Sequence, residues 1–456
     1  MDRDVDLLII GAGACGLAAA ISGADMGMSV AVIEKTHQPG GNSALSTGSV
    51  PGSGTRFQRE AGIEDSPEKH FADLMDIAGD GENHDLMQRM AEVSAQIVEW
   101  LIDDVGAKMQ LITAYKHIGH SVPRLHAPAS RRGADLVADL LSATEARGVP
   151  VAVGNSAQQL IVENSDVVGA VIDSGDTKPF EVRAGGVLLA LNGFAANRDL
   201  VARYVSEISG AAYFGALGSE GEAIRWGQEL GADLVNMGSY QGYAAVADPH
   251  GSILSWTTIE KGGVLLGADA RRFGDESLGY SGFAHVVLEQ GQNAWAVFDQ
   301  RIFEIAAQEE EFLELLNHGG LHKGETVAEA VAAYGLDGVV AEDVISAYNN
   351  AASGALPDPF GRRDFGGAPL IGPYYVCKVQ PALFHTQGGL RVDGNGRVLR
   401  NDGAPIKGLY AGGGAAAGIS GGIGALGYAS GNGLLTAIAL GRLSALAAAQ
   451  DLGLTG

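Results

Sequence analysis

Val5-Asp-Leu-Leu-Ile-Ile-Gly11-Ala-Gly13-Ala-Cys-Gly16 is the stretch whose reading decides the fold. Val5 to Ile10 is a short apolar run with strand character, a glycine turn follows, Ala14 to Met26 carries a helical pattern, and Ser29 to Ile33 is a second apolar run. That order is a βαβ unit. Each glycine meets a separate need: Gly11 allows the turn, Gly13 lets a diphosphate approach the backbone, and Gly16 lets helix and strand pack closely. The unpaired N–H groups that begin at Ala14, with the positive end of the helix, favour that diphosphate. Glu34 ends the second strand about twenty residues on, where an acid can accept hydrogen bonds from the adenosine ribose. The pattern specifies a dinucleotide and does not by itself separate FAD from NAD.

Composition bounds the rest. The chain has 456 residues, more than one hydrophobic core usually serves, so two domains are expected. Apolar residues make up 46% and charged ones 18%, the balance of a globular protein. A formal charge of -24 opposes a polyanionic partner, which excludes nucleic acid. Cys15 and Cys377 are too few for a disulfide framework or a thiolate metal site, which suits a reducing cytoplasm. The Leu7 to Ile10 run lacks a basic leader and a cleavage site, so no signal peptide is expected, and no run is read as long enough to span a membrane.

Along the chain, helical Ala134 to Ala146 alternates with the short strands Val149 to Val153, Val167 to Ile172 and Val187 to Ala190. From Gly238 to Gly366 the texture changes to aromatic loops and the acidic helices Arg301 to Leu316 and Ala341 to Ala352. Strand character resumes at Tyr374 to Val379, where alternation lets only one of Tyr374 and Tyr375 face a core, and a last helix covers Gly431 to Ala449. The expected architecture is α/β: a discontinuous Rossmann-like dinucleotide domain over residues 1–237 and 366–456, with an inserted α+β substrate or cap domain over 238–365.

Further motifs carry a resemblance. Glu34-Lys35, Gly40-Gly41-Asn42-Ser43, Ser46-x-Gly48, Gly193-Phe194-Ala195-x-Asn197, Gly221 before a helix, and Gly408-Leu409-Tyr410-Ala411-Gly412 resemble the fumarate reductase and ketosteroid dehydrogenase flavoprotein superfamily across nearly the whole chain. The resemblance implies FAD, with the Gly41-Asn42-Ser43 loop along the flavin and its diphosphate. No histidine occurs from Asn42 to Gly48, so the FAD is expected to be non-covalent. Two positions depart from the family: Asn192 replaces a usual glycine, and Gly413 stands where many members have a glutamate facing the ribityl chain.

Catalytic expectations follow from the same likeness. Arg272-Phe273-Gly274-Asp275-Glu276 resembles the R-F-x-N-E element of fumarate reductases, and Tyr280 then falls at their proton-donating arginine. In the C-terminal glycine loop Tyr428 replaces a second arginine. Two tyrosines there resemble ketosteroid dehydrogenases, and chemistry explains the exchange: a carboxylate wants bidentate cations, a ketone a neutral donor at its oxygen and a base at its α-carbon. Tyr428, with a backbone N–H near Gly431, is the expected oxygen donor, Tyr280 the base, and His285 a candidate relay. His385-Thr386-x-Gly388-Gly389 resembles the H-x-T-x-G-G element of fumarate reductases and keeps a carboxylate-bearing substrate in play. His117, His120 and His126 fit no zinc spacing, so no metal is expected. Tyr115 and Arg124 are candidates to touch substrate.

The primary expectation is therefore desaturation of a cyclic ketone, a 3-oxosteroid or a smaller ring such as 4-oxocyclohexanecarboxylate, passing electrons to an acceptor the sequence does not name. Reduction of a conjugated acid is the alternative enzyme. A flavin electron carrier without its own organic substrate is the alternative of another class.

Overall fold

The computed structural model describes residues 3–78, 83–114, 116–175 and 177–454. The chain divides into two compact units, the first Met1–Val205 with Gly215–Tyr240 and His385–Gly456, the second Ser206–Phe214 with Gln241–Phe384.

The first unit is built on the opening βαβ. Val5–Ile10 lies between Val30–Glu34 and Phe180–Leu189, parallel to both, and Pro405–Ala411 extends the parallel set on the far side of Phe180–Leu189. Leu7, Leu8 and Ile9 are wholly buried, as a strand covered on both faces requires. Ser156–Glu163 and Asp166–Asp173 form an antiparallel hairpin on the Phe180–Leu189 strand, whose ten residues extend well ahead of the apolar run at Val187. A Cβ on Gly16 would lie 1.9 Å from the Gly11 carbonyl oxygen, so the first helix, Ala14–Asp25, can start against the turn only because that position carries no side chain.

The last helix, Asn432–Asp451, packs on Ala14–Asp25; a Cβ on Gly441 would come 2.1 Å from the Cys15 carbonyl oxygen. This helix corrects the expectation that no run has membrane-spanning length: its 20 residues are long and apolar enough, but 78% of the window is buried inside the protein. It is apolar because it is enclosed by core on most sides. Cys15 and Cys377 are free buried thiols, each pushed up to about 12 by burial and therefore unreactive near neutrality.

In the second unit Ala294–Asp299 pairs antiparallel with Val264–Leu266 and with Tyr374–Thr386, and the latter also takes His322–Gly324 and, in parallel, Ala212–Tyr213. These pairings shift the expected boundaries. Residues up to Phe384 join this unit because the strand beginning at Tyr374 is hydrogen-bonded into its sheet, and Ser206–Phe214 joins through Ala212 and Tyr213. On that strand Tyr375 is buried and donates to Gln300 Oε1, whereas Tyr374 is half-buried, as alternation requires. The single helix expected over Arg301 to Leu316 is two, Gln300–Ala306 and Glu310–Asn317. Asp299 caps the first, accepting from the Ile302 N–H, and the run Glu309 to Glu311 opens the second, where three carboxylates suit the positive end of a new helix better than the middle of an old one.

Candidate functional site

The expected dinucleotide residues come together at the start of the first helix. Gly13 is its N-cap, the Ala12 N–H donates to Glu34 Oε2, and the Ala14 N–H donates to Ser43 Oγ. Glu34 Oε1 takes the Thr36 N–H and hydroxyl, so the carboxylate is held in one orientation with lone pairs left for ribose hydroxyls. Lys35 directs its ammonium to Glu222 at 2.6 Å and Glu220 at 3.1 Å, so toward a cofactor it offers stem and backbone, not charge.

The Gly40-Gly41-Asn42-Ser43 loop forms the short helix Gly41–Leu45 beside Gly13. Asn42 Oδ1 accepts from the Ala216 N–H, but Asn42 Nδ2 is buried with no partner, and nothing lies within 4 Å of a Cβ placed on Gly41. A buried amide lacking its acceptor beside an open backbone face fits a group rich in acceptor oxygens and ring nitrogens, as FAD is. Ser46 is committed to its own turn, donating to Ser43 O and accepting from the Gly48 N–H, and so shapes this loop from below.

The C-terminal glycines complete the arrangement. Gly412 abuts Cys15, with a Cβ there 2.6 Å from its Sγ, and Gly413 adopts φ +60°. Gly193 lies against Thr386, whose Oγ1 accepts from the Phe194 N–H. Asn192, the departure from the usual glycine, keeps that residue's backbone: it sits at φ +70°, its Oδ1 accepts from the Gly193 N–H and its Nδ2 donates to Ser219 Oγ. Asparagine is among the few side chains that tolerate this region, so the substitution preserves the turn.

Of the catalytic candidates, His385 and Tyr428 belong to the first unit and Tyr280 to the second. His385 Nδ1 lies 3.3 Å from Thr386 O, its ring faces Gly433 near the start of the last helix, and burial holds the imidazole below its usual range, hence neutral. Tyr428 is buried three residues ahead of Gly431, the cap of that helix, and the Asn432 N–H turns back onto Ala429 O. Tyr280, in the short helix Gly279–Gly282, belongs to an aromatic row: its ring centroid is 5.1 Å from Tyr243, which stacks on Phe384 at 5.2 Å and 4°, with Phe214 stacked beyond. Tyr243 is no proton relay, since its hydroxyl donates to Leu254 O, accepts from the Trp256 N–H, and is pushed well above the usual phenol range by burial. His285 lies on the following helix with Nδ1 buried and unpartnered.

Arg124 is not a substrate contact. It is fully buried, and its guanidinium donates to both oxygens of Asp65, to Asp73 Oδ2, and toward His120 Nδ1. Tyr115 lies outside the described residues. Sequence reasoning did not single out this network, nor Thr386 as a backbone acceptor; Asp65 and Asp73 lie 59 and 51 residues from Arg124 and share no local spacing with it that marks them.

Comparison with known proteins gives this geometry a context. NADH:fumarate oxidoreductase of Klebsiella pneumoniae is 28% identical over 424 residues, covering 92% of this chain but 45% of that protein, so the chain spans under half of that relative. The open conformation of a flavocytochrome c3 fumarate reductase superposes with a TM-score of 0.84 at 27% identity, over 99% of this chain and 79% of the other. The 3-ketosteroid-Δ4-(5α)-dehydrogenase of Rhodococcus jostii, in complex with 4-androstene-3,17-dione, gives 0.77 at 26% identity over 98% of each chain. The profile of the FAD binding domain matches residues 6–434, nearly the whole sequence. FAD is thus the cofactor, and the chain belongs to the FAD binding domain family of fumarate reductase/succinate dehydrogenase flavoproteins.

Proposed function

We propose that the protein is an FAD-dependent dehydrogenase that desaturates a cyclic ketone at the α,β bond, a 3-oxosteroid or a smaller ring such as 4-oxocyclohexanecarboxylate. The observation that carries this reading is the environment of Tyr280: a phenol packs against a row of aromatic rings at the position where the resemblance to fumarate reductases puts an arginine. An aromatic, apolar surrounding suits a hydrocarbon ring better than a dicarboxylate. The buried arginines of the same unit are committed elsewhere, Arg272 to Glu276 and Asp358, Arg362 to Glu276 and the carbonyls of Gly263 and Ile259.

In the mechanism Tyr428 donates a hydrogen bond to the ketone oxygen, which carries charge as the α-proton leaves, and Tyr280 takes that proton. FAD, which the Gly11-to-Gly16 turn and the Asn42 loop would hold, would supply the two-electron oxidation by which the β-hydrogen leaves as hydride. One preorganised donor at a developing oxyanion contributes about 3 kcal/mol to the barrier. A phenol of pKa about 10 is a weak base at neutrality, so Tyr280 must lose its own proton or share it as the α-proton transfers. Tyr243 does not accept that proton, because its hydroxyl is already engaged.

The test is Tyr280→Phe. It should retain flavin absorbance while losing turnover of the ketone that bleaches the wild-type flavin under anaerobic titration; unchanged turnover would reject the assignment. A second reading, reduction of a conjugated acid, is supported by His385 and by the likeness to NADH:fumarate oxidoreductase. Oxidation of a reduced viologen by fumarate, with no flavin bleaching by any ketone, would select it.

A further inference from the structure

The segment entering the last helix is held from outside that helix. The Ser430 N–H donates to Ile118 O at 3.0 Å, and His120 Nε2 lies 2.8 Å from Ser430 O. Between these two bonds Gly119, at φ +82°, presses on Ala429, where a Cβ would come 2.4 Å from the Ala429 Cβ. On the other side Gly431 is confined by Pro51 and the Ser49 carbonyl. The backbone that follows Tyr428 is therefore gripped at consecutive residues.

The tautomer of His120 follows from its neighbours. Arg124 NH1 lies 3.1 Å from His120 Nδ1, and a guanidinium only donates, so Nδ1 is an acceptor and the ring proton sits on Nε2, aimed at Ser430 O. Arg124 is itself fixed by two carboxylates, Asp65 and Asp73. Burial, with the guanidinium alongside, pushes the imidazole down to about 4, so it stays neutral in ordinary buffers. A chain of charge-assisted bonds thus orients one imidazole, and that imidazole holds one carbonyl.

We propose that His120 is a positioning residue for Tyr428: its Nε2–H fixes the Ser430 carbonyl and thereby sets where the phenol two residues earlier is presented. The inference rests on the reading of Tyr428 as the ketone-oxygen donor. Displacing a reacting group by about 1 Å can cost on the order of a hundredfold in rate.

A double-mutant cycle in the full FAD-loaded chain tests it, using the ketone that bleaches the wild-type flavin as substrate and a dye as acceptor. His120→Asn keeps an acceptor for Arg124 but falls short of Ser430, whereas His120→Gln presents an acceptor and a donor spaced like the two ring nitrogens. H120N should lower kcat about tenfold or more with the flavin spectrum intact, and H120Q should restore it to within about threefold. In a Tyr428→Phe background H120N should cost less than about twofold further, because both changes act on one group. Multiplicative losses, or an H120N with wild-type kcat beside an impaired Y428F, would overturn the His120 role while leaving Tyr428 in place. A fully active Y428F would instead overturn the Tyr428 reading and this inference with it. Should H120N lose its flavin, His120→Ser, which leaves room for a water on Arg124, goes through the same cycle.

Discussion

Replacing Gly13 by alanine separates what the cofactor requires from what the fold requires. Gly13 sits at φ -79° and ψ -175°, open to any residue. A Cβ there would meet Gly40 O at 3.6 Å and Ser43 Oγ at 3.7 Å, ordinary contact distances. Alanine is accommodated in the apoprotein, where the gain of about 0.4–1 kcal/mol from restricting the unfolded chain is roughly offset by its poorer N-cap preference, so stability should be little changed. Gly16→Ala is the contrast: its Cβ would lie 1.9 Å from Gly11 O and 3.1 Å from Ile9 Cγ2, so helix and strand must part, at about 1–3 kcal/mol or more. Toward FAD the order reverses. The Gly13 methyl would occupy the face the diphosphate approaches, and an overlap of about 1–3 kcal/mol weakens Kd about 5- to 150-fold. Thermal unfolding of the apoprotein, paired with an FAD titration followed by quenching of flavin fluorescence, reads both quantities. The expected pattern is a little-changed apo Tm with weak FAD binding for G13A, and a lowered apo Tm for G16A. Wild-type FAD affinity in G13A would refute the placement of the diphosphate.

Other consequences are as direct. His120 and His126 are pushed down to about 4 by burial from an ordinary value of 6.5, so between these values the unfolded chain binds more protons. Stability should be full above about pH 6.5 and fall toward about pH 4 by up to about 1.4 kcal/mol per pH unit per imidazole; H120Q should remove one share, and an identical slope in wild type and variant would contradict this. Asn192→Ala should cost about 2–3 kcal/mol, through left-handed strain plus two lost hydrogen bonds, and Asn192→Gly about half that; equal midpoints in urea would dismiss the strain argument. Arg124→Met strands the buried Asp65 carboxylate and the partly buried Asp73 and should cost about 3–5 kcal/mol, against less than about 1 kcal/mol for Arg147→Met at its exposed pair with Asp25; comparable losses would show the Arg124 network to be solvated.

The nucleotide half was legible because its constraints are local. Gly11 and Gly16 answer to atoms within a few residues or to one neighbouring strand, and Glu34 reaches Ala12 across a single parallel pairing. The second unit's limits were less legible, because membership of Tyr374 to Phe384 depends on pairing with Ala294–Asp299, and strand partners far apart in sequence leave no periodic mark. The apolar last helix shows the same limit from the other side: its composition is that of a membrane span, and only its packing on Ala14–Asp25 shows why. Arg124 misled for a related reason. An arginine in a histidine-rich loop reads as a ligand group until Asp65 and Asp73, each some fifty residues away or more, are seen to bond it.

The two candidate tyrosines are supported by one physical device used twice. Near Tyr428 the buried cation is Arg124, bound by Asp65 and Asp73; near Tyr280 it is Arg272, bound by Glu276 and Asp358, with Glu276 only four residues ahead of Tyr280 and also accepting from the Leu265 N–H. In a chain with 54 acidic and 30 basic residues, a buried arginine finds two carboxylates readily. Such networks add little net stability over well-packed apolar side chains, yet losing one partner is costly, so their main effect is to forbid alternative arrangements. A phenol acting as donor or base gains from that restriction, because its reach is fixed by a rigid ring and its only adjustment comes from the backbone that carries it. Replacing Arg124, Asp65 and Asp73 together by apolar residues of similar volume should therefore keep the fold and its flavin while lowering kcat, and an apolar triad with wild-type turnover would show that the charges serve the fold alone; the Arg272 triad offers no such test, because Glu276 also pairs with the buried Arg362.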